Sequence, residues 1–155
     1  MYAIVSDSDG SLRWKKVADP VAKSHEVLVD IHATAVNRAD LSQRQGRYPP
    51  PVGASPYLGL EMAGVVAAVG SDSGGFLVGD RVCSILPGGG YAEAIAADES
   101  YLMPLPESYS FVEGGGFPEV FLTAYVNLFL EAVMSCPFKF PYSLLYSGCE
   151  IEYVK

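Results

Sequence analysis

The chain has 155 residues, half of them hydrophobic, which is enough for one domain with a substantial core. Its formal net charge of −8, with ten Lys and Arg residues scattered along the chain, argues against a nucleic-acid partner. The three cysteines have no recognisable spacing, so buried free thiols are expected rather than a disulfide framework or a zinc site.

Neither a signal peptide nor a membrane span is predicted. The first ten residues, MYAIVSDSDG, lack a basic start and an apolar core, so we expect a cytoplasmic protein. The most apolar stretch, residues 117–134, is interrupted by Glu119, Asn127 and Glu131, which a membrane span would rarely tolerate. No membrane partner is therefore expected.

Short strands are predicted along the first hundred residues, at 2–6, 12–18, 59–70, 80–86 and 91–96. Turns rich in Gly, Pro, Ser and Asp separate them. This pattern is typical of a β-barrel or a sandwich, so the predicted fold class is mainly β with a few helices.

The clearest strand covers residues 26–36, in which every odd-numbered residue from 27 to 35 is apolar. Continuing that alternation directs Asn37 towards the core side. Asn37 is also a plausible N-cap for a short helix over residues 38–45, with Gly46 as its stop.

A single carboxylate, Glu61, lies in the apolar strand GLEMAGVVAAVG of residues 59–70. A charge beside such a strand is costly unless it is solvated or paired. Glu61 therefore lies either at a solvated end of the strand or in a functional site.

Pro118 is well placed to open a helix that runs to about Ala132. Polar residues recur in it at every fourth position, and the rest of the helix is apolar: the polar ones are Glu119, Thr123, Asn127 and Glu131. Such a wide apolar surface requires burial against more than one partner surface.

Four segments in order carry a family resemblance: NRADLSQRQGRYPPP (37–51), LGLEMAGVVAAVG (58–70), VGDRVCSILPGGGYAEA (78–94) and FPEVFLTAY (117–125). They resemble the zinc-independent medium-chain dehydrogenase/reductases, and within them the quinone oxidoreductase, or zeta-crystallin-like, branch. The resemblance covers residues 1–132. It implies a GroES-like (alcohol-dehydrogenase N-terminal-like) barrel as the catalytic domain, normally followed by a Rossmann domain that holds NADPH.

The resemblance also implies that no metal is bound. Zinc-dependent relatives carry Gly-His-Glu where this sequence has Gly59-Leu60-Glu61, and their first cysteine ligand is replaced by Asn37. Two ligands are thus lost from a site that needs about three side chains. Without a Lewis acid, the hydride acceptor must already be electrophilic, as a quinone or a conjugated enone is.

By resemblance, Asn37 and Tyr48 are the expected catalytic residues, and Asn37, Tyr48 and Thr123 the expected contacts to NADPH and substrate. Each also has a purely structural interpretation: Asn37 as a helix cap, Tyr48 as a loop aromatic and Thr123 as part of a solvated helix face. The same holds for Glu61, expected to be a hydrogen-bonded structural residue rather than a catalytic one. The run 88–90, three glycines, is most simply a turn and otherwise a loop that faces the cofactor.

Residues 133–155 depart from the family. Pro137 and Pro141 would break any helix, and no G-x-G-x-x-G occurs anywhere in the sequence. We therefore expect a GroES-like catalytic domain at 1–132 and a divergent tail at 133–155 without a Rossmann domain.

Two functions are consistent with this organisation. The first is a truncated NADPH-dependent quinone oxidoreductase with little activity alone, which associates, as a homo-oligomer or otherwise, through exposed apolar surface. The second is a non-catalytic GroES-like domain that acts through protein–protein contacts.

Overall fold

The computed structural model describes residues 1–7 and 9–131. The predicted tail at 133–155 lies outside them, as do Cys136 and Cys149. The described strands are β1 (Tyr2–Ser6), β2 (Leu12–Lys16), β3 (Glu26–Ala33), β4 (Glu61–Val69), β5 (Arg81–Ile85), β6 (Ala94–Asp98) and β7 (Leu102–Pro104).

The described helices are α1 (Arg38–Arg44), a short 3-10 helix (Glu99–Tyr101), α2 (Phe111–Gly116) and α3 (Pro118–Tyr125), which is followed by a π-helical segment (Val126–Glu131). No helix among the described residues has both the length and the apolar character that crossing a membrane requires. The chain divides into two compact units, Met1–Glu119 and Val120–Lys155.

Within the first unit, the strands pair antiparallel throughout. Five of them form one sheet in the order β6-β3-β4-β5-β7, and β1 and β2 form a separate hairpin. The segment before β6 links the two, because the Tyr91 carbonyl accepts from the Ile4 N–H and the Glu93 carbonyl from the Ile31 N–H, both at 2.8 Å. The predicted mainly β, GroES-like fold is confirmed.

The larger core cluster lies on the face of the five-stranded sheet that the alternation in β3 predicts, and a smaller buried cluster consists of Ala63, Cys83 and Leu105. Val27 and Val29 are fully buried, whereas Asp30 and His32 on the opposite face are exposed. Fully buried Val82 from β5 joins the same cluster. Cys83 is a buried free thiol, as expected for this cysteine.

Several predicted boundaries are wrong by a few residues. β3 ends at Ala33, three residues early, and β6 covers 94–98 rather than 91–96 because residues 91–93 bond to β1 and β3 instead. The predicted helix from Pro118 is confirmed, although its second half is π-helical.

Helix α2 and strand β7 were not predicted at all. The α2 sequence, FVEGGG, has three residues of low helix propensity. Its start is fixed by a capping box in which Ser110 and Glu113 bond each other's backbone N–H. A side chain at Gly114 or Gly115 would collide with Leu105 or Ala33, so the glycines are selected by close packing.

Candidate active site

Glu61, the first residue of β4, is buried, with only 1% of its surface exposed. Its Oε1 accepts a hydrogen bond from Asn37 Nδ2 at 2.7 Å, and its Oε2 accepts one from the Glu119 N–H at 3.0 Å. The Glu61 carbonyl accepts from the Thr34 hydroxyl at 2.6 Å. The alternative of a solvated strand end is therefore wrong, and the expectation of a hydrogen-bonded residue at the start of the strand is confirmed. Through these bonds, Glu61 connects three segments of the chain.

Asn37 is half-buried and is the N-cap residue of α1, as predicted. Its backbone N–H donates to Asp40 Oδ2 at 2.7 Å, so the third helical residue ties back to the cap. Its side-chain nitrogen donates to Glu61. The backbone of Asn37 thus caps the helix, while its side chain points towards the buried Glu61. The two predictions for Asn37 are therefore compatible.

A second buried carboxylate, Asp40, lies in the same place with only 3% of its surface exposed. The Tyr91 hydroxyl donates to its Oδ2 at 2.8 Å and lies 3.3 Å from the Ala35 carbonyl. The other oxygen, Oδ1, has no hydrogen-bond partner among residues 1–7 and 9–131. Asp40 could have been found from its position three residues after a predicted N-cap, whereas nothing in the sequence marks Tyr91.

Burial, together with the two carboxylates, raises the pKa of three neighbouring groups. Burial, and then the hydrogen bond and charge of Asp40 and the charge of Glu61, raise the pKa of the Tyr91 hydroxyl. Burial and the same two charges raise the pKa of Glu119, and burial with the Glu61 charge raises that of Cys83. Within the described part of the chain, neither Asp40 nor Glu61 forms an ion pair.

At the two positions where zinc-dependent relatives are expected to have ligands, the side chains are engaged otherwise. Leu60 is 5% exposed and belongs to the core, and Asn37 donates to a carboxylate. In the described ranges, no three His, Cys, Asp or Glu side chains are grouped so that they could hold a metal ion.

The glycine run 88–90 is a buried turn that packs against the chain before β4. The Gly89 N–H donates to the Tyr57 carbonyl at 2.7 Å, and the Gly90 N–H to the Gly59 carbonyl at 2.9 Å. A side chain at any of the three glycines would approach a neighbouring atom to within 3.0 Å. This contact supports the simpler of the two interpretations, a turn.

Tyr48 forms none of these hydrogen bonds, and Thr123 belongs to the other compact unit. Tyr48 lies in the loop after α1 with 55% of its surface exposed, and its hydroxyl has no partner among the described residues. Thr123 is an exposed residue of α3 in the second compact unit, where its carbonyl accepts from Asn127 Nδ2 at 2.7 Å. The cluster is thus formed by Asn37 with four residues to which no catalytic role was assigned: Asp40, Glu61, Tyr91 and Glu119.

A comparison with protein families gives a match over residues 23–107 to the alcohol dehydrogenase GroES-like domain. These residues include β3 to β7 and α1, and therefore every member of the cluster described above except Glu119.

Related proteins point the same way. The chain is 40% identical over 119 residues to quinone oxidoreductase of Mus musculus, covering 75% of this chain and 35% of that protein. It is 33% identical over 132 residues to a human synaptic vesicle membrane protein VAT-1 homolog-like, covering 83% and 32%. The chain thus spans about a third of the length of these relatives.

Among solved structures, Escherichia coli quinone oxidoreductase complexed with NADPH superimposes with a TM-score of 0.74 at 26% identity, over 87% of this chain and 41% of that one. Sequence, family and fold comparisons agree. The chain belongs to the alcohol dehydrogenase GroES-like domain family and, within the zinc-independent medium-chain dehydrogenase/reductases, to the quinone oxidoreductase branch.

Proposed function

We propose that this chain provides the substrate side of an NADPH-dependent quinone oxidoreductase, which transfers a hydride to a quinone or a conjugated enone without a metal. The observation that carries the proposal is the amide of Asn37. A buried carboxylate holds it at 2.7 Å, and the family resemblance assigns it the position of a thiolate ligand in zinc-dependent relatives. An amide in that position can donate a hydrogen bond to a carbonyl oxygen but cannot replace a Lewis acid.

The polar groups available for ligands suit this chemistry. The second N–H of the Asn37 amide and the Tyr48 hydroxyl have no partner among the described residues, so both are available to a ligand. NADPH, when bound, supplies the hydride. Asn37 would orient the acceptor carbonyl, Tyr48 would stack on the acceptor ring or donate to its oxygen, and Thr123 would contact the nicotinamide.

The sequence contains no motif for binding the pyrophosphate of the cofactor. The 155 residues contain no G-x-G-x-x-G, the sequence that brings backbone N–H groups at a helix N-terminus onto a pyrophosphate. We propose that residues 1–132, as the GroES-like domain, contact only the nicotinamide end of the cofactor. A cytoplasmic location also remains a prediction.

The proposed quinone oxidoreductase function can be tested with a chimeric enzyme. Residues 1–119, the first compact unit, replace the matching segment of the Escherichia coli quinone oxidoreductase. We expect the folded chimera to oxidise NADPH with a quinone, and Asn37→Ala to lower its kcat by at least about tenfold because an orienting hydrogen bond is lost.

Gln45→Ala, which removes an exposed amide, is the matched control and should leave kcat unchanged. A folded chimera that binds NADPH and turns over equally well with Ala at position 37 would contradict the assigned role of Asn37.

A second candidate, a non-catalytic domain that acts through protein contacts, is favoured by one observation. Large apolar side chains are exposed along α3 and the π-helical segment: Val120, Phe121, Tyr125, Val126, Leu128, Phe129 and Leu130. Such a surface commonly marks an interaction site. An inactive chimera together with stable self-association of this chain would favour this candidate.

A further inference from the structure

We propose that Glu61 is a positioning residue that fixes the orientation of the Asn37 carboxamide, so that Asn37 presents one N–H donor to a ligand carbonyl. The ligand's identity rests on the proposed function, whereas the orientation does not. Of the two alternatives that its sequence position suggested, the solvated strand end is wrong, because only 1% of the Glu61 surface is exposed.

The argument begins with the chemistry of the contact. An ionised carboxylate can only accept hydrogen bonds, so the Asn37 atom at 2.7 Å from Glu61 Oε1 must be the nitrogen. Rotating the amide by half a turn would bring its carbonyl oxygen against a carboxylate oxygen. Glu61 therefore selects the amide orientation in which Nδ2 faces it.

The second step is that Glu61 is occupied on both oxygens. Oε2 accepts the Glu119 N–H at 3.0 Å, at the start of α3, while Oε1 accepts from Asn37. Two donors thus hold a carboxylate that has no cation near it in the described part of the chain. A glutamine could not replace it, because its single oxygen satisfies only one donor and its NH2 group would face the other.

The third step concerns what remains available on Asn37. With one N–H directed at Glu61, the other N–H is the unpartnered donor of a half-buried amide. A single donor of fixed direction suits a carbonyl oxygen, the group that quinones and enones share. Removing the carboxylate should free the amide to rotate and remove this preference, even though Asn37 itself is retained.

The chain offers a sharp test, because it contains only four side-chain carboxamides: Asn37, Gln43, Gln45 and Asn127. Nuclear magnetic resonance can follow their amide protons individually in the intact 155-residue protein. Asn127 donates to a neutral carbonyl and Gln45 is exposed, so both serve as internal references. One Asn37 proton should exchange with solvent at least about tenfold more slowly than those of Gln45, and lie downfield of those of Asn127, because a charge-assisted bond is stronger.

In Glu61→Gln, that proton should move towards the Asn127 position and exchange at least about tenfold faster. Glu93→Gln is the matched control, since the exposed Glu93 carboxylate accepts the Tyr2 N–H at 2.7 Å, and it should leave the Asn37 protons unchanged. Unaltered Asn37 protons in a folded Glu61→Gln protein would overturn the proposal.

If that variant does not fold, the parent protein decides: Asn37 protons that exchange as fast as those of Gln45 would also overturn it. The result is independent of the chimera. Protected Asn37 protons with an inactive chimera would leave the positioning intact and reject the proposed function.

Discussion

At the scale of single residues, the unusual feature is a pair of buried carboxylates, Asp40 and Glu61, that form no ion pair within residues 1–7 and 9–131. Asp40 is held by the Asn37 N–H and the Tyr91 hydroxyl, and Glu61 by Asn37 and the Glu119 N–H. Within the described part of the chain, the two carboxylates are therefore stabilised by hydrogen-bond donors and not by ion pairs. Buried charges of this kind are expensive, which suits a site kept for function rather than for stability.

The charges of this pair predict a pH dependence through Glu119. Burial, Glu61 and Asp40 raise the pKa of Glu119 in the folded protein, so the fold favours its protonated form. The stability that it contributes is fully present below its ordinary pKa of 4.5 and is lost as pH rises through the raised value. Glu119→Gln, which stays neutral and keeps the backbone N–H, should therefore gain stability over the parent protein at pH 7 but not at pH 4.

Glu113→Gln is the control of opposite sign, because the Ser110 N–H and hydroxyl lower the pKa of Glu113. It should lose stability at pH 7, and that loss should disappear as the pH falls. Urea unfolding at both pH values measures the two effects. A gain for Glu119→Gln of the same size at pH 4 and pH 7 would be inconsistent with this electrostatic account.

At the scale of elements, the sequence pattern predicted those features that depend on residues close together in the sequence. The alternation in β3 predicted its buried face, and the turn residues predicted the β1–β2 hairpin. Helix α2 was not predictable because Gly114 and Gly115 are selected by close packing, Gly114 on Leu105 and Gly115 on Ala33, which lies far away in sequence. The start of β6 was wrong for a similar reason, since residues 91–93 pair with strands distant along the chain.

The backbone at Gly59, just before β4, gives a prediction at this scale. Gly59 and Gly79 both have positive φ angles, +104° and +98°, which cost an alanine about 1–2 kcal/mol. A Cβ at Gly59 would also lie 2.4 Å from the Tyr91 nitrogen, whereas nothing lies within 4 Å of one at Gly79. Gly59→Ala should therefore lower the free energy of unfolding by about 1–3 kcal/mol more than Gly79→Ala does.

Urea unfolding of the two variants checks this difference. Equal losses would mean that the backbone near Tyr91 yields freely and that the glycine run 88–90 is not held against the chain before β4.

Some residues of the candidate site could be predicted from the sequence, and others could be found only from the structure. Asn37 followed from the family resemblance and from its direction at the end of a strand, and the structure brings it to Glu61 at 2.7 Å. Tyr91 could not be predicted, since an aromatic residue after three glycines carries no local sign of a partner 51 positions away. For Tyr48 and Thr123, the predicted roles still rest on resemblance.

At the scale of the whole molecule, we predict the metal content from the two residues that the family resemblance places at zinc-ligand positions. Leu60 is in the core, and Asn37 donates to Glu61. Elemental analysis of purified protein should therefore find no stoichiometric zinc, and dialysis against a chelator should leave the unfolding midpoint unchanged. One tightly held zinc per chain would reject this part of the account.

The central claim is that these residues form the substrate side of the active site and do not bind the pyrophosphate of NADPH. If losing that grip removes about 4 kcal/mol of binding free energy, the affinity for NADPH falls by about a thousandfold, from micromolar to millimolar. The exposed apolar residues of α3 should meanwhile promote self-association, so only monodisperse protein is informative.

The most direct test is to titrate NADPH by its fluorescence against monodisperse protein, and then to assay quinone reduction by the same sample. The Escherichia coli quinone oxidoreductase, treated identically, serves as the positive control. We predict no saturable binding at micromolar NADPH and no quinone turnover by the chain alone. Micromolar binding together with multiple turnovers would contradict the claim, and would mean that these 155 residues hold a complete cofactor site.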